Sequence, residues 1–392
     1  MRSPAAATPA SVMSNGLAQP SRRSSAASSE LAAELRRLGC TRPFFITDAG
    51  VKAAGLVARV TAPLELEALR HAVFDRVEPE PPFACVAAAI ASVRGSFDAD
   101  VIVALGGGSV MDTAKLVAAT LLDGRDARAL AGMRKVGRRP LPLVCLPTTS
   151  GTGSEATPVA IFTDEVTGTK VGVVDPCLVP DLVLLDPELT DGLPALPTAA
   201  AGMDALVHAL EAYIARTATP LARGLALEAA RRIGPALSAV CSDGTDRSAR
   251  DAMLLGANLA GLAFANSSCC AVHALALPLG GRFHVIHGVA TGCLVAETMR
   301  FNLPAIEKDV AEFCAALGWG GLAPVEFPDR LAALARSIGL SKALSATAVP
   351  DQALEALARN AVANRRLMDP NPREVTESDA VEIYRRTLGT HG

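Results

Sequence analysis

ADVIVALGGGSVMDTAKLVAAT, residues 99–120, is the stretch on which the fold turns: an apolar run from Val101 to Leu105 passes through four small residues into a segment with helical spacing. The pattern predicts a buried strand, a glycine turn and a helix. Gly106, Gly107, Gly108 and Ser109 put no bulky side chain in the way, so backbone N–H groups and a helix N-terminus can approach a phosphate. The stretch has neither the GxGxxG spacing nor the lysine-serine pair of a Walker loop, and glycine turns between strand and helix also serve packing alone. Dinucleotide binding therefore needs support from elsewhere in the chain.

Working outward, ELAAELRRLG at 30–39 has helical spacing with a terminal glycine, and FFIT at 44–47 reads as a strand. Strands and helices then alternate through LVLLDP at 182–187, which predicts a parallel sheet with helices on both faces. Within this half, LPLVCLPTTSGTGSEATPVAIFTD at 141–164 ends an apolar strand in a loop rich in hydroxyls and glycine. From Thr148 to Ser154 that loop offers donors to a ribose, a carboxamide or a phosphate, or it is an ordinary turn satisfying its own backbone. After Pro187 strand signals vanish in favour of alanine- and leucine-rich helical runs. The organisation expected is a flexible tail at 1–30, a Rossmann-like α/β domain at 31–187 and an all-helical domain at 188–392. The tail is expected from its Ala, Ser and Pro content; its arginines suit a transit peptide, but its amphipathic pattern is poor.

The helical half holds the chemistry. In AGMDALVHALEAY at 201–213, Asp204 and His208 stand four apart, one turn along one helical face, where a carboxylate and an imidazole can share a metal ion. His273 and His287 bracket VHALALPLGGRFHVIH at 272–287, and Pro278, Gly280 and Gly281 between them predict two elements joined by a turn. Three imidazoles and a carboxylate suit Fe2+ or Zn2+ used as a Lewis acid. Spacing alone does not decide this, because an isolated histidine on an apolar helix face is commonly a satisfied core residue.

Charge and composition limit the function classes. A net charge of −3 over 392 residues gives no field for nucleic acid or anionic lipid, and charges interrupt every long apolar run, so no membrane span is expected. Nine cysteines without a CxxC spacing predict reduced thiols in a cytoplasm-like compartment. Adjacent Cys269 and Cys270 read most simply as small core residues, although they fall just before His273.

Taken in order, FFITD (44–48), GGGSVMDTAK (106–115), PTTSGTGSEAT (147–157), DALVHALEAY (204–213), HGVATG (287–292) and NPREVTESDA (371–380) resemble the iron-containing alcohol dehydrogenase family. The resemblance covers nearly everything after residue 30. It implies an NAD-dependent enzyme of dehydroquinate synthase-like architecture that interconverts alcohols and aldehydes or ketones in a cleft between two domains, with a homodimer as a possible assembly. It also implies that Asp204, His208, His273 and His287 are the metal ligands and Gly106 to Ser109 the pyrophosphate loop. Thr148, Thr149 and Lys170 fall near the nicotinamide half, with Asp112 and Thr152 also assigned to the cofactor. Asp48 falls at the adenine ribose, where a carboxylate favours NAD over NADP unless it merely caps its own turn.

One departure stands out. Many members carry a histidine four residues after the ligand at His273, thought to relay the alcohol proton; this chain has Leu277. His284 is the nearest replacement in sequence and the candidate catalytic residue, weighed against a plain exposed loop histidine. Phe264, Cys269 and Leu277 are the expected pocket lining. The alternatives are a sugar-phosphate cyclase of the dehydroquinate synthase type, disfavoured by few basic residues between Asp204 and His287, and a non-catalytic cofactor-binding relative.

Overall fold

The computed structural model describes residues 21–23, 27–165 and 169–389. The strands among them are β1 (Ser21–Arg23), β2 (Pro43–Ile46), β3 (Ala72–Phe74), β4 (Val101–Gly106), β5 (Gly132–Met133), β6 (Leu143–Pro147), β7 (Val159–Asp164), β8 (Thr169–Val174) and β9 (Leu182–Leu185). Six form a parallel sheet in the order β1-β9-β6-β4-β2-β3. Every residue of β2, β4, β6 and β9 is buried, as expected when helices cover both faces. Successive side chains feed opposite cores: Phe44, Ile46, Ile102 and Ala104 pack on one face, Phe45, Val101, Val103 and Leu105 on the other. The strand order reverses between β4 and β2, and the crevice at the carboxyl ends of strands beside such a switch point is where ligands bind in open α/β sheets.

Two features of this half differ from the expectation. Residues 21–23 and 27–30, assigned to the flexible tail, are ordered: β1 pairs in parallel with β9, and Ser28 donates through both its N–H and its hydroxyl to Asp186. The edge strand was illegible because Ser21-Arg22-Arg23 has no apolar pattern, and an edge strand is held by main-chain bonds that any residue supplies. Residues 1–20 lie outside the described part. The second difference is at 159–174, where strand–helix alternation gives way to an antiparallel hairpin of β7 and β8, flanked by β5.

From Ala195 onward the described residues hold helices and no strand, and they share one continuous apolar core. The helices at 195–214, 247–265, 271–283 and 287–316 surround the candidate site. His273 and His287 do come from two elements, but the break lies later than expected: the helix runs through Pro278 and Gly280 and ends at His284, whose φ is +55°. Glycines let the two halves approach at Gly153, φ +59°, where a Cβ would come within 2.6 Å of the Gly261 Cα. At Gly151 a Cβ would lie 2.8 Å from the Ala201 Cα. The hydroxyl-rich loop is thus wedged against helices 195–214 and 247–265.

Candidate metal and cofactor site

Asp204 is the hub of the helical half. One oxygen lies 3.6 Å from His273 Nε2 and 3.6 Å from His287 Nε2, and the other lies 3.7 Å from His208 Nδ1. Asp204 and His208 share a face of helix 195–214 one turn apart, His273 sits in the first turn of helix 271–283, and His287 opens helix 287–316. The four residues that the resemblance implies as ligands therefore converge. Gly288 makes that possible: a Cβ there would lie 2.1 Å from the Ala200 carbonyl oxygen, so only glycine lets helix 287–316 cross helix 195–214 close enough to present His287. Thr291, one turn on, donates to Asp204 at 3.0 Å.

The electrostatics follow from the packing. Burial alone would raise the Asp204 carboxyl, but His208, His287 and His273 outweigh it and hold it far below the usual carboxylate range. Burial lowers His287 to about 4, so its ring nitrogen keeps its lone pair at neutral pH. His208 is stacked between two rings, 4.5 Å from Phe264 and 4.4 Å from His273.

Glu211 completes the arrangement and was missed in the sequence. Fully buried, it accepts from the Cys270 N–H at 2.9 Å, the Val272 N–H at 2.7 Å and His273 Nδ1 at 2.6 Å. Because a carboxylate only accepts, Nδ1 carries a proton; burial alone would lower the ring's pKa, but Cys269, Glu211 and Asp204 hold it well above its ordinary value, so Nε2, facing Asp204, is the atom that gives up its proton to offer a lone pair to a cation. The signal was present: Glu211 lies three residues after His208 and seven after Asp204, on the same helical stripe. Thr291 was legible in the same way, four residues after His287.

A divalent ion fits these residues. His208 Nδ1 and His273 Nε2 are buried and without a hydrogen-bond partner, a condition that costs about 1–3 kcal/mol per group unless something accepts the lone pair. A cation accepts both, and a buried carboxylate and imidazoles are the donors that iron and zinc take.

On the sheet side, β4 ends at Gly106 and a helix opens at Gly108. A Cβ at Gly107 would sit 3.2 Å from Thr149 Oγ1, and one at Gly108 would sit 2.8 Å from Thr152 Cγ2, so the glycine turn and the hydroxyl loop interlock. The Thr148 N–H donates to the Gly106 carbonyl at 3.1 Å and fixes their register. Several expected cofactor residues have partners within the protein. Asp112 spends one oxygen on the Ser154 hydroxyl at 2.6 Å and the other on the Ile161 N–H at 2.8 Å, so it braces the loop from beneath instead of presenting a free carboxylate. Buried Lys115 joins that brace through Ser154 Oγ at 2.8 Å. Asp48 caps helix 49–53, accepting the Val51 N–H at 2.9 Å through one oxygen and keeping the other. Ser109 accepts the Glu80 N–H at 3.2 Å, and Glu80 in turn holds Lys170 at 3.0 Å. Glu80 sits in a proline-rich segment with φ +54°, and no sequence pattern marked it.

The remaining candidates divide. Phe264 and Cys269 lie against the histidine cluster, and Leu277 is half-buried against the helical core. His284 is not brought in: it is exposed at the end of helix 271–283, with no hydrogen bond to the cluster.

A sequence profile described as iron-containing alcohol dehydrogenase matches residues 22–187, and one for the C-terminal part of the Fe-containing alcohol dehydrogenase family matches residues 198–388. The chain belongs to the iron-containing alcohol dehydrogenase family. It is 39% identical to long-chain-alcohol dehydrogenase 1 of Geobacillus thermodenitrificans, over 91% of each chain. It is 33% identical to lactaldehyde reductase of Escherichia coli, over 90% of this chain and 93% of the relative. The solved structure of a 1,3-propanediol oxidoreductase superposes with a TM-score of 0.88 at 32% identity, covering 94% of this chain and 97% of the other. The fold is that family's parallel-sheet domain followed by a helical domain, and the chain is an alcohol and aldehyde oxidoreductase that works with NAD(H) and a metal. The cyclase alternative is set aside on the same match. No helix among the described residues is long and apolar enough to cross a membrane.

Proposed function

We propose that this enzyme interconverts an alcohol with its aldehyde or ketone using NAD(H) in preference to NADP(H), with a divalent ion, iron or zinc, held by Asp204, His208, His273 and His287. In this reading residues 31–187 bind the dinucleotide and residues 188–392 carry the ion. The observation that carries it is the convergence of three imidazoles on one buried carboxylate, with two imidazole nitrogens buried and unpartnered.

A bound cation supplies Lewis acidity toward the substrate oxygen, and a bound nicotinamide accepts or returns the hydride. The chain does the rest. Backbone N–H groups from Gly107 to Ser109 meet the pyrophosphate at the N-terminus of helix 108–120, while Asp112 and Lys115 keep that turn from shifting. The free oxygen of Asp48, next to β4 at the switch point, accepts ribose hydroxyls and repels a 2′-phosphate. Thr148, Thr149, Thr152 and Lys170 line the approach to the helical half and orient the nicotinamide end. Phe264 and Leu277 keep water from the reacting carbon. With leucine at 277 the substrate proton travels through solvent on the side of His287, the most exposed of the three imidazoles. Nine free cysteines support a reducing, cytoplasmic setting.

The test combines elemental analysis with NADH- and NADPH-linked aldehyde reduction. His273→Ala is expected to lose most of its metal and its hydride transfer together, and the parent enzyme to prefer NADH. Full metal occupancy with parental activity in His273→Ala would overturn the ligand assignment, and equal efficiency with NADPH would overturn the cofactor assignment.

A further inference from the structure

The two adjacent cysteines face different ways. Cys270 Sγ lies 3.8 Å from the Glu211 carbonyl, whereas Cys269 points among the imidazoles. One donor atom from each of His208, Cys269 and His273 lies within 4.8 Å of the other two, and all three residues are buried. A second set, Asp204, His273 and His287, meets the same criterion, so the two triads overlap at His273. A cysteine that only filled core space would account for its burial, but not for its place beside two imidazoles whose His208 Nδ1 and His273 Nε2 are buried without a hydrogen-bond partner. With Zn–S bonds of about 2.3 Å and Zn–N bonds of about 2.1 Å, donors around a tetrahedral ion stand roughly 3.5 Å apart, so side-chain shifts of about 1 Å close the triad.

Resting on the metal-dependent reading above, we propose that Cys269 is a metal ligand of this enzyme: its sulfur joins His208 and His273 around the ion and biases the site toward thiophilic divalent cations. Asp204 Oδ1, 3.6 Å from both His273 Nε2 and His287 Nε2, keeps His287 in the same shell, so Cys269 adds a donor to the four residues named above. On coordination the S–H bond breaks, a sulfur–metal bond forms and the proton passes to solvent; no electron transfer is involved. Thiolate is a softer donor than carboxylate, so zinc and cobalt gain over magnesium and manganese.

The experiment titrates the full-length, metal-free protein with Co2+ and follows its absorption spectrum. The proposal expects a near-ultraviolet thiolate-to-cobalt charge-transfer band beside the visible ligand-field bands. The band is lost in Cys269→Ser and Cys269→Ala and kept in Cys270→Ala. In competition with a chromophoric chelator, Zn2+ affinity of Cys269→Ser should fall by about tenfold or more. Because the parent spectrum is itself diagnostic, misfolding of a variant does not blunt the test. Ligand-field bands without the charge-transfer band would overturn the role of Cys269 while leaving the Asp204–His208–His273–His287 reading intact. Failure of the parent to bind cobalt or zinc, with His273→Ala indistinguishable from it, would overturn both.

Discussion

Replacing Glu211 by glutamine tests how far the site depends on a residue that touches neither metal nor substrate. One Glu211 oxygen accepts from the Cys270 N–H and His273 Nδ1, and the other from the Val272 N–H. Glutamine keeps one accepting oxygen and replaces the other with an NH2 donor. If its oxygen stays on Cys270 and His273, the NH2 group opposes the Val272 N–H, leaving two buried donors unsatisfied at about 1–3 kcal/mol each, or roughly 2–6 kcal/mol in all. Loss of the negative charge at the start of helix 271–283 adds about 0.3–1 kcal/mol. If the amide turns the other way, His273 loses the acceptor that fixes its tautomer, and metal affinity falls by about 10–100-fold. Either orientation damages the site, so Glu211→Gln should melt at least ~4 °C below the parent in metal-free form. It should also bind Zn2+ more weakly, and excess metal should recover part of the lost stability. Calorimetric melting with and without metal, together with chelator competition, reads both effects. A variant with parental melting temperature and parental metal affinity would refute the reasoning outright.

Three further expectations follow from the same geometry. Gly288→Ala should cost about 1–3 kcal/mol and reduce metal content because its Cβ cannot fit beside Ala200, whereas Gly224→Ala, with open space around its Cβ in helix 220–242, should be neutral or gain about 0.5–1 kcal/mol; equal melting shifts would contradict the close-crossing account. Burial alone would raise the Asp175 carboxyl, but the Cys177 thiol and the N–H groups of Gly137, Cys177 and Val136 hold it below its ordinary value, so its stabilisation is present above the unfolded carboxylate pKa of about 3.9 and is lost as pH falls through the folded value. Asp175→Asn should accordingly be less stable than the parent at neutral pH, with the gap closing below about pH 4; a gap constant with pH in urea melts would exclude this origin. Leu277→His should change the pH profile of alcohol oxidation by adding a titrating group, while His284→Ala tests the solvent route, and identical profiles for both variants and the parent would remove both positions from proton transfer.

The parts of the fold written in side-chain periodicity were legible. Val101 to Leu105 read as a buried strand because both faces of the sheet are covered, and Asp204 and His208 read as one site because helical spacing is a strong constraint. What escaped depends on the backbone or on three-dimensional proximity. Ser21 to Arg23 pair through main-chain groups, and Glu80 holds Lys170 from a left-handed backbone position that nothing in VEPEPP at 77–82 announces. Pro278 was read as a break, yet a proline costs a helix one hydrogen bond and this helix continues to Phe283, turning out only where His284 takes a positive φ. Asp112 was assigned to the cofactor with the family resemblance; the partners that occupy its two oxygens, Ser154 and Ile161, are more than forty residues away in sequence.

The interlocked glycines at 151, 153 and 261 give the molecule a mechanical character of their own. The hydroxyl-rich loop at 148–154 belongs covalently to the sheet half but is keyed into two helices of the other half with less than a methyl group of clearance. Such a seam resists sliding of one half past the other, because displacement in either direction drives backbone into backbone. Thr148 to Thr152 and the Asp204–His208 helix meet along it, so the distance between the hydroxyl loop and the histidine cluster is set by main-chain contact and not by side chains that can change rotamer.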